Sequence, residues 1–305
     1  MADNQKNNLI DENDEIIRSK NLSSSGIITK KYSDDGVDIF SMEIKNRNGE
    51  EVSGKKKGKY VTVNVGKTEF YDTASFEKVC MVFSRVVSSF AGRMREKILL
   101  AGLGNPAICA DSVGTQTAEN FIVTRHIKES SPELFERFGF AETCAITPNV
   151  FGNTGIEAAE IIKGVVDDIK PSCVIVVDSL SSRRLSRLGT TIQICDTGIC
   201  PGSGVGNVRA EISRDSVGVP VIAIGVPTVV NTATLLSDVL AECGIDKTAL
   251  DKESRENISR QLSKDCYVSP KNCEKEIKSI SRLIGYALNA AIHRGISVSE
   301  MKDFL

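Results

Sequence analysis

Three aspartates stand behind apolar runs of the kind that form buried strands. Asp178 follows Cys173-Val174-Ile175-Val176-Val177 directly, and Asp196 follows Thr190-Thr191-Ile192-Gln193-Ile194 after one residue. Asp111 lies in the loop Gly102 to Gly114 behind Ile98-Leu99-Leu100-Ala101. One aspartate after a strand is commonly a helix N-cap or a turn former, but three on one sheet edge point to a site. Two carboxylates about 4 Å apart repel by about 4 kcal/mol at an effective dielectric of about 20, enough to hold one proton on the pair near neutral pH. Such a pair offers a base to activate water and an acid to protonate a leaving group. The same cluster, with His126 as a nitrogen ligand, also suits a metal; the reading preferred here needs no metal and no cofactor.

Other chemistries find less to work with. The chain has two histidines, His126 and His293, so no more than one imidazole pair is available. Cys109, Cys195 and Cys200 fall at strand ends, and of these Cys109 has a histidine, His126, near it in sequence. His126 is expected inside a helix, which argues for packing rather than catalysis. No serine sits in G-x-S-x-G. The loop Gly202-Ser203-Gly204-Val205-Gly206 is G-x-G-x-G, and it lacks both the dinucleotide spacing and the Gly-Lys-Ser/Thr ending of a phosphate loop. A tight loop approaching a site or a bound peptide backbone is the better reading of it.

The elements that would carry these residues follow from periodicity. Runs at 98–101, 173–177 and 219–224 are apolar on both faces, as in parallel strands covered twice; 190–194 is more amphipathic. Helical spacing is read at 73–95, 118–127, 155–169, 232–243 and 273–293. Strand and helix in alternation predict an α/β fold, a mostly parallel sheet with helices on both faces. The alternating segments Val37-Asp38-Ile39-Phe40-Ser41-Met42-Glu43-Ile44 and Tyr60-Val61-Thr62-Val63-Asn64-Val65 add an N-terminal β-rich extension, with turn residues at Asn46-Arg47-Asn48-Gly49. Residues 1–26 are polar and read as a flexible arm and possible pro-segment, and residues 27–305 as a single α/β domain. In such sheets ligands bind beyond the carboxyl ends of the strands, which is where the aspartates are expected to stand.

Composition narrows the partners. Lysine plus arginine number 38 against 40 aspartate plus glutamate, a net charge of −2, so no global positive field draws in nucleic acid. The lysine run Lys55-Lys56-Lys57 reads as a solvated loop. No apolar run reaches the length of a membrane span and none fits a signal peptide. Nine cysteines, none in C-x-x-C, fit reduced thiols in a cytoplasmic protein rather than a disulfide framework or a zinc ribbon.

The residues also resemble a family, the germination proteases (spore proteases) of endospore-forming bacteria. The resemblance rests on Thr190-Thr191-Ile192-Gln193-Ile194-Cys195-Asp196-Thr197-Gly198, on Pro201-Gly202-Ser203-Gly204-Val205-Gly206-Asn207, and on Pro220-Val221-Ile222-Ala223-Ile224-Gly225-Val226-Pro227-Thr228. Gly102-Leu103-Gly104-Asn105, Gly152-Asn153-Thr154-Gly155-Ile156-Glu157 and Leu288-Asn289-Ala290-Ala291-Ile292-His293 also fit. It implies an aspartic-type endopeptidase that degrades small acid-soluble spore proteins during germination, with a fold similar to hydrogenase maturation proteases. It implies Asp111 and Asp178 as the essential pair, with Asp196, Asn105, Glu157, Gly204 and Gly206 in support. It further implies a homotetrameric zymogen in the forespore or spore core that loses a short N-terminal segment.

This chain departs from the family pattern in places. Cys109-Ala110 replace Thr-Pro, Thr115 replaces Pro, Cys200 replaces His, and Asn231 replaces an Asp. The arm lacks an Asp-Leu-Ala-like cleavage site, which directs any self-cleavage elsewhere, such as the 21–26 region. Two other readings are a metal-dependent peptidase using the same carboxylates and a peptidyl-tRNA hydrolase-like enzyme. The latter is prompted by Gly102-Leu103-Gly104-Asn105-Pro106 and Thr124-Arg125-His126. A non-catalytic nucleotide- or peptide-binding module would use the glycine-rich loop.

Overall fold

The structure, a computed structural model, describes residues 26–90, 97–182, 184–207, 209–244, 266–293 and 295–304. The arm expected at 1–26 therefore lies, but for Gly26, outside the described residues. Among the described residues, nine strands form one sheet: β1 (Ile27–Asp34), β2 (Val37–Ile44), β3 (Gly58–Asn64), β4 (Lys97–Gly102), β5 (Glu142–Ile146), β6 (Cys173–Ser182), β7 (Thr191–Cys195), β8 (Val221–Asn231) and β9 (Tyr267–Val268). Their order is β1-β2-β3-β7-β8-β6-β4-β5, and β9 adds to β8.

The α/β class with helices on both faces holds, and the sheet is mixed. The pairs β5–β4, β4–β6 and β6–β8 are parallel. The pairs β8–β7, β7–β3, β3–β2 and β2–β1 are antiparallel. Chain length explains the change of direction at β7. Residues 183–190, between β6 and β7, are too few for the crossover of about a dozen residues that a parallel return needs. The chain therefore turns back at the carboxyl end of β6 and runs down beside β8. The N-terminal strands continue the same sheet through β3. Their first hairpin is closed by Asp35 (φ 49°) and Gly36 (φ 79°), the two positive φ values of a type I′ turn.

Alternation along the apolar runs builds two cores. Ile98, Leu100, Ile175, Val177, Ile222 and Ile224 face one side. There they meet helix α1 (Thr73–Ser88) through Phe76, Val79 and Phe83, and helix α4 (Cys273–Ile292) through Ile277, Ile280, Ile284 and Leu288. Leu99, Ala101, Val174, Val176, Val221 and Ala223 face the other side, against Ala159, Ile162 and Val166 of helix α3 (Ala158–Ile169). No helix among the described residues is long and apolar enough to cross a membrane.

Several elements differ from the periodic expectation. The helix expected at 118–127 is split into α2 (Val113–Glu119) and a short helix at Arg125–Ser130. The break is held by Asn289, fully buried in α4: its amide donates to the Asn120 carbonyl (3.0 Å) and accepts from the Ile122 N–H (2.9 Å). Gly285 permits this contact, because a Cβ there would lie 2.6 Å from the Asn120 carbonyl oxygen. Asn46 caps a helix at Arg47–Ser53, where a turn was expected, by accepting the Gly49 N–H (3.0 Å). Strands β1, β5 and β9 correspond to no strand segment named from the sequence.

Asn289→Ala leaves the buried Ile122 N–H and the part-buried Asn120 carbonyl unpaired and is expected to cost about 2–6 kcal/mol, each such group being worth about 1–3. Urea unfolding of the variant against the parent chain measures it.

Candidate active site

Asp111 is placed by close backbone packing behind β4. The ladder continues one residue past the strand, with Leu103 N–H donating to the Val177 carbonyl (2.8 Å). The chain then doubles back so tightly that a Cβ on Gly104 (φ +103°) would lie 1.9 Å from the Asp111 carbonyl oxygen. A Cβ on Gly114 would lie 2.2 Å from the Val177 oxygen, so α2 starts directly against β6. No other residue fits either position. Asp111 ends a single 3-10 turn, Cys109–Asp111. The Asn105 N–H donates to its Oδ2 (2.9 Å), and the Thr228 hydroxyl, reaching from β8, donates to the neighbouring Ala110 carbonyl (2.6 Å).

Asp178 is held differently. The sequence places it just past a strand, whereas β6 runs on to Ser182 and Asp178 stands inside the sheet, in register with Gly225 of β8. It is 5% exposed, and the Ser179 N–H donates to its Oδ1 (2.9 Å). Burial, with the charge of Asp111 adding to it, pushes its carboxyl up to about 8. Burial also raises Asp111, opposed by the Asn105 hydrogen bond. The two acids are thus drawn apart, Asp178 keeping its proton over a range in which Asp111 is the easier to ionise.

Both carboxylates line one cleft of about 480 Å³ at the carboxyl ends of β4, β6 and β8, together with Asn105, Glu157 and Gly204. Glu157 precedes α3, and its backbone N–H donates to Glu160 Oε2 (3.2 Å). Its own carboxylate lies 3.9 Å from the Arg209 guanidinium, which sits over the Phe151 ring at 4.7 Å. Gly204 passes so near β6 that a Cβ would lie 2.9 Å from Ser181 Cβ. The Tyr267 hydroxyl of β9 donates to the Gly204 carbonyl (3.4 Å). Phe151, Ser179, Arg209, Thr228 and Tyr267 all line the cleft and were not singled out from sequence, since none carries a distinguishing pattern. The Ser179 hydroxyl is buried without a hydrogen-bond partner among the described residues.

Asp196 and Gly206 do not line this cleft. The expectation of three aspartates on one edge assumed that β7 ran parallel to its neighbours. Because β7 is antiparallel, Asp196 leaves the sheet at its other end, where its Oδ1 accepts the Lys59 N–H (2.8 Å) and its own N–H donates to the Lys59 carbonyl (3.3 Å). That clamp joins β7 to β3. Gly206 (φ +74°) ends the 3-10 turn Ser203–Val205. The glycine-rich loop thus follows an antiparallel strand and opens no long helix, which leaves it without a helix N-terminus for phosphate.

Neither histidine lines the cleft. His126 is exposed in the helix Arg125–Ser130, so the peptidyl-tRNA hydrolase reading lacks its imidazole. His293 is buried, its Nδ1 accepting the Ala141 N–H (3.3 Å), and burial lowers its pKa to about 4. Cys200 lines the cleft, and burial raises its thiol pKa. Among the described residues, no three His, Cys, Asp or Glu side chains gather where they could hold a metal ion.

The burial of Asp178 has a stability signature. Its pKa is about 8 folded and about 3.9 unfolded, so its contribution to stability is full below the unfolded value and is lost as pH rises from about 4 through 8. Asp178→Asn is therefore expected to be more stable than the parent chain at alkaline pH, by about 6 kcal/mol at most. The difference should shrink toward pH 4, as measured by urea unfolding across pH. A difference independent of pH would mean that Asp178 ionises as freely in the fold as out of it.

The family model described as germination protease matches residues 3–245. A germination protease of Caldanaerobacter subterraneus is 38% identical over 299 residues, covering 92% of this chain and 92% of that protein. One from Clostridium acetobutylicum is 35% identical over 299 residues, covering 91% and 90%. Among solved structures, a NiFe hydrogenase maturation protease from Thermococcus kodakarensis aligns with a TM-score of 0.36 and 17% identity, over 67% of this chain and 99% of that one. By the span of the family model and the identity sustained along nearly its whole length, the chain belongs to the germination protease family.

Proposed function

We propose that the chain is an endopeptidase that degrades small acid-soluble spore proteins at germination, with Asp111 and Asp178 as its catalytic pair. The observation that carries this reading is the cleft floor itself. Two carboxyls, one from the turn behind β4 and one from within β6, line one cavity, and the more buried of them holds its proton to about pH 8. A pair so divided supplies base and acid at once. Asp111 as carboxylate takes a proton from water as the water oxygen attacks the peptide carbonyl carbon. Asp178 as carboxylic acid donates a hydrogen bond to the carbonyl oxygen as negative charge gathers there. When the tetrahedral intermediate collapses, the proton held on Asp111 passes to the leaving nitrogen and the C–N bond breaks.

The surrounding residues have supporting roles in this scheme. Asn105 and Thr228 fix the turn that aims Asp111, and Gly204 brings the glycine-rich loop against β6 as one wall for an extended peptide. Glu157, with Arg209 and Phe151, forms another wall. Asp196 acts at a distance, by tying β7 to β3. On the family resemblance, the chain is made in the forespore as a homotetrameric zymogen that loses a segment from within residues 1–26.

Incubation of the purified chain with a small acid-soluble spore protein, with fragments and the enzyme's own N-terminus mapped by mass spectrometry, tests substrate and processing together. Asp111→Asn and Asp178→Asn are each expected to lower kcat/KM by about 100- to 10,000-fold while leaving the fold intact by circular dichroism. The pH profile of the parent enzyme should fall on its alkaline side near 8, as Asp178 loses its proton. Full activity in either variant ends the assignment, and activity lost on dialysis against a chelator and restored by a divalent metal transfers it to metal chemistry.

A further inference from the structure

Outside the cleft, one pair of side chains stands unusually close. Cys109 opens the turn that ends in Asp111, and Cys273 is the first residue of α4. Their sulfurs are 3.1 Å apart although the residues are separated by 164 positions in sequence. A disulfide bond is about 2.05 Å long, so a movement of about 1 Å closes the gap. Both are free thiols, neither is fully buried, and both pack against the core on the α4 side of the sheet. Neither lines the cleft, whereas Ala110 and Asp111, the next two residues after Cys109, do. β9 ends at Val268, five residues before Cys273, and its Tyr267 holds the glycine-rich loop.

We propose that Cys109 and Cys273 are a redox-modification site, at which a small-molecule disulfide converts the dithiol into an intramolecular disulfide that restrains the turn carrying Asp111. The Cys109 thiolate attacks one sulfur of the oxidant, forming a mixed disulfide and releasing one small thiol. Cys273 gives up its proton to solvent and attacks the Cys109 sulfur; the protein S–S bond forms and the second small thiol leaves. Two protein thiols are oxidised and one small disulfide is reduced to two thiols. Burial and the neighbouring Cys109 push the Cys273 thiol up to about 12. The effect on peptide cleavage rests on the catalytic pair proposed above: the bond draws in the turn that aims Asp111, and a displacement of about 1 Å at a catalytic group costs about 100-fold.

The test uses the full chain, reduced and then equilibrated with oxidised and reduced glutathione at graded ratios, trapped by acid and alkylated. Peptide mapping is expected to find Cys109 linked to Cys273 in the parent chain and not in Cys273→Ala. Exchange of the Asp111 and Ser112 amides, which donate to the Ile108 and Cys109 carbonyls, should slow by about tenfold in the oxidised form. Cleavage of a small acid-soluble spore protein should fall by about tenfold or more on oxidation and return with dithiothreitol, while Cys273→Ala keeps its activity under both conditions. Glutathione found on exposed Cys243 or Cys266 with no 109–273 link overturns the proposal. So does a link that leaves amide exchange unchanged. A reduced chain that cleaves nothing refutes the catalytic reading instead, and the link and the amide exchange still decide this one.

Discussion

A carboxyl group inside a β-sheet must find a countercharge or keep its proton, and Asp178 keeps its proton. Its strand neighbours Val176 and Val177 are wholly buried, and the charge that acts on it is that of a second acid, Asp111. Placing it there weakens the fold at neutral pH, the kind of local cost that concentrates where function is built. The rest of the architecture serves to hold that position. The parallel strands β4, β6 and β8 give it a rigid floor, and the close packing at Gly104 and Gly114 holds the Asp111 turn against β6.

The two halves of the sheet make different contributions. In the parallel half, all carboxyl ends point the same way, so the segments after β4 and α3's N-terminal flank converge on one rim. The antiparallel half returns the chain to that rim by another path. From the lower end of β7, residues 198–207 climb back over the α3 side, with Ile199 buried among the core residues there, until the glycine-rich loop meets Ser181. The clamp between Asp196 and Lys59 anchors the start of that climb. Asp196 therefore bears on the site through the loop that follows it, while its own side chain stays away.

Buried polar groups fix this arrangement more sharply than apolar contacts alone. Asn289 decides where the helix after Asp111 breaks. Thr228 ties the Asp111 turn to β8. Each satisfies a backbone group that would otherwise be stranded, so alternative packings are penalised by the full cost of an unpaired donor or acceptor. The Cys109–Cys273 contact adds a tie between the same turn and α4, one whose strength depends on oxidation state.

Local pattern in the sequence determined the apolar runs of β4, β6 and β8, the helix faces of α1, α3 and α4, and the hairpin strand β2, whose limits it marked at Val37 and Ile44. It also marked Asp111, Asp178 and Asp196, because an acid behind a buried run is visible one residue at a time; the family motifs around Thr190–Asn207 were legible in the same way, and the resemblance they carry is what narrowed the three acids to Asp111 and Asp178. Only the tertiary structure decided that β7 runs antiparallel, that Asp178 stands within β6 rather than beyond it, that the segment after α2 breaks at Asn289, and that two distant thiols touch. Periodicity records which face of an element is apolar. It carries no record of strand direction, register or the partner across a contact, which are set by the length of connections and by the packing of residues far apart in the chain.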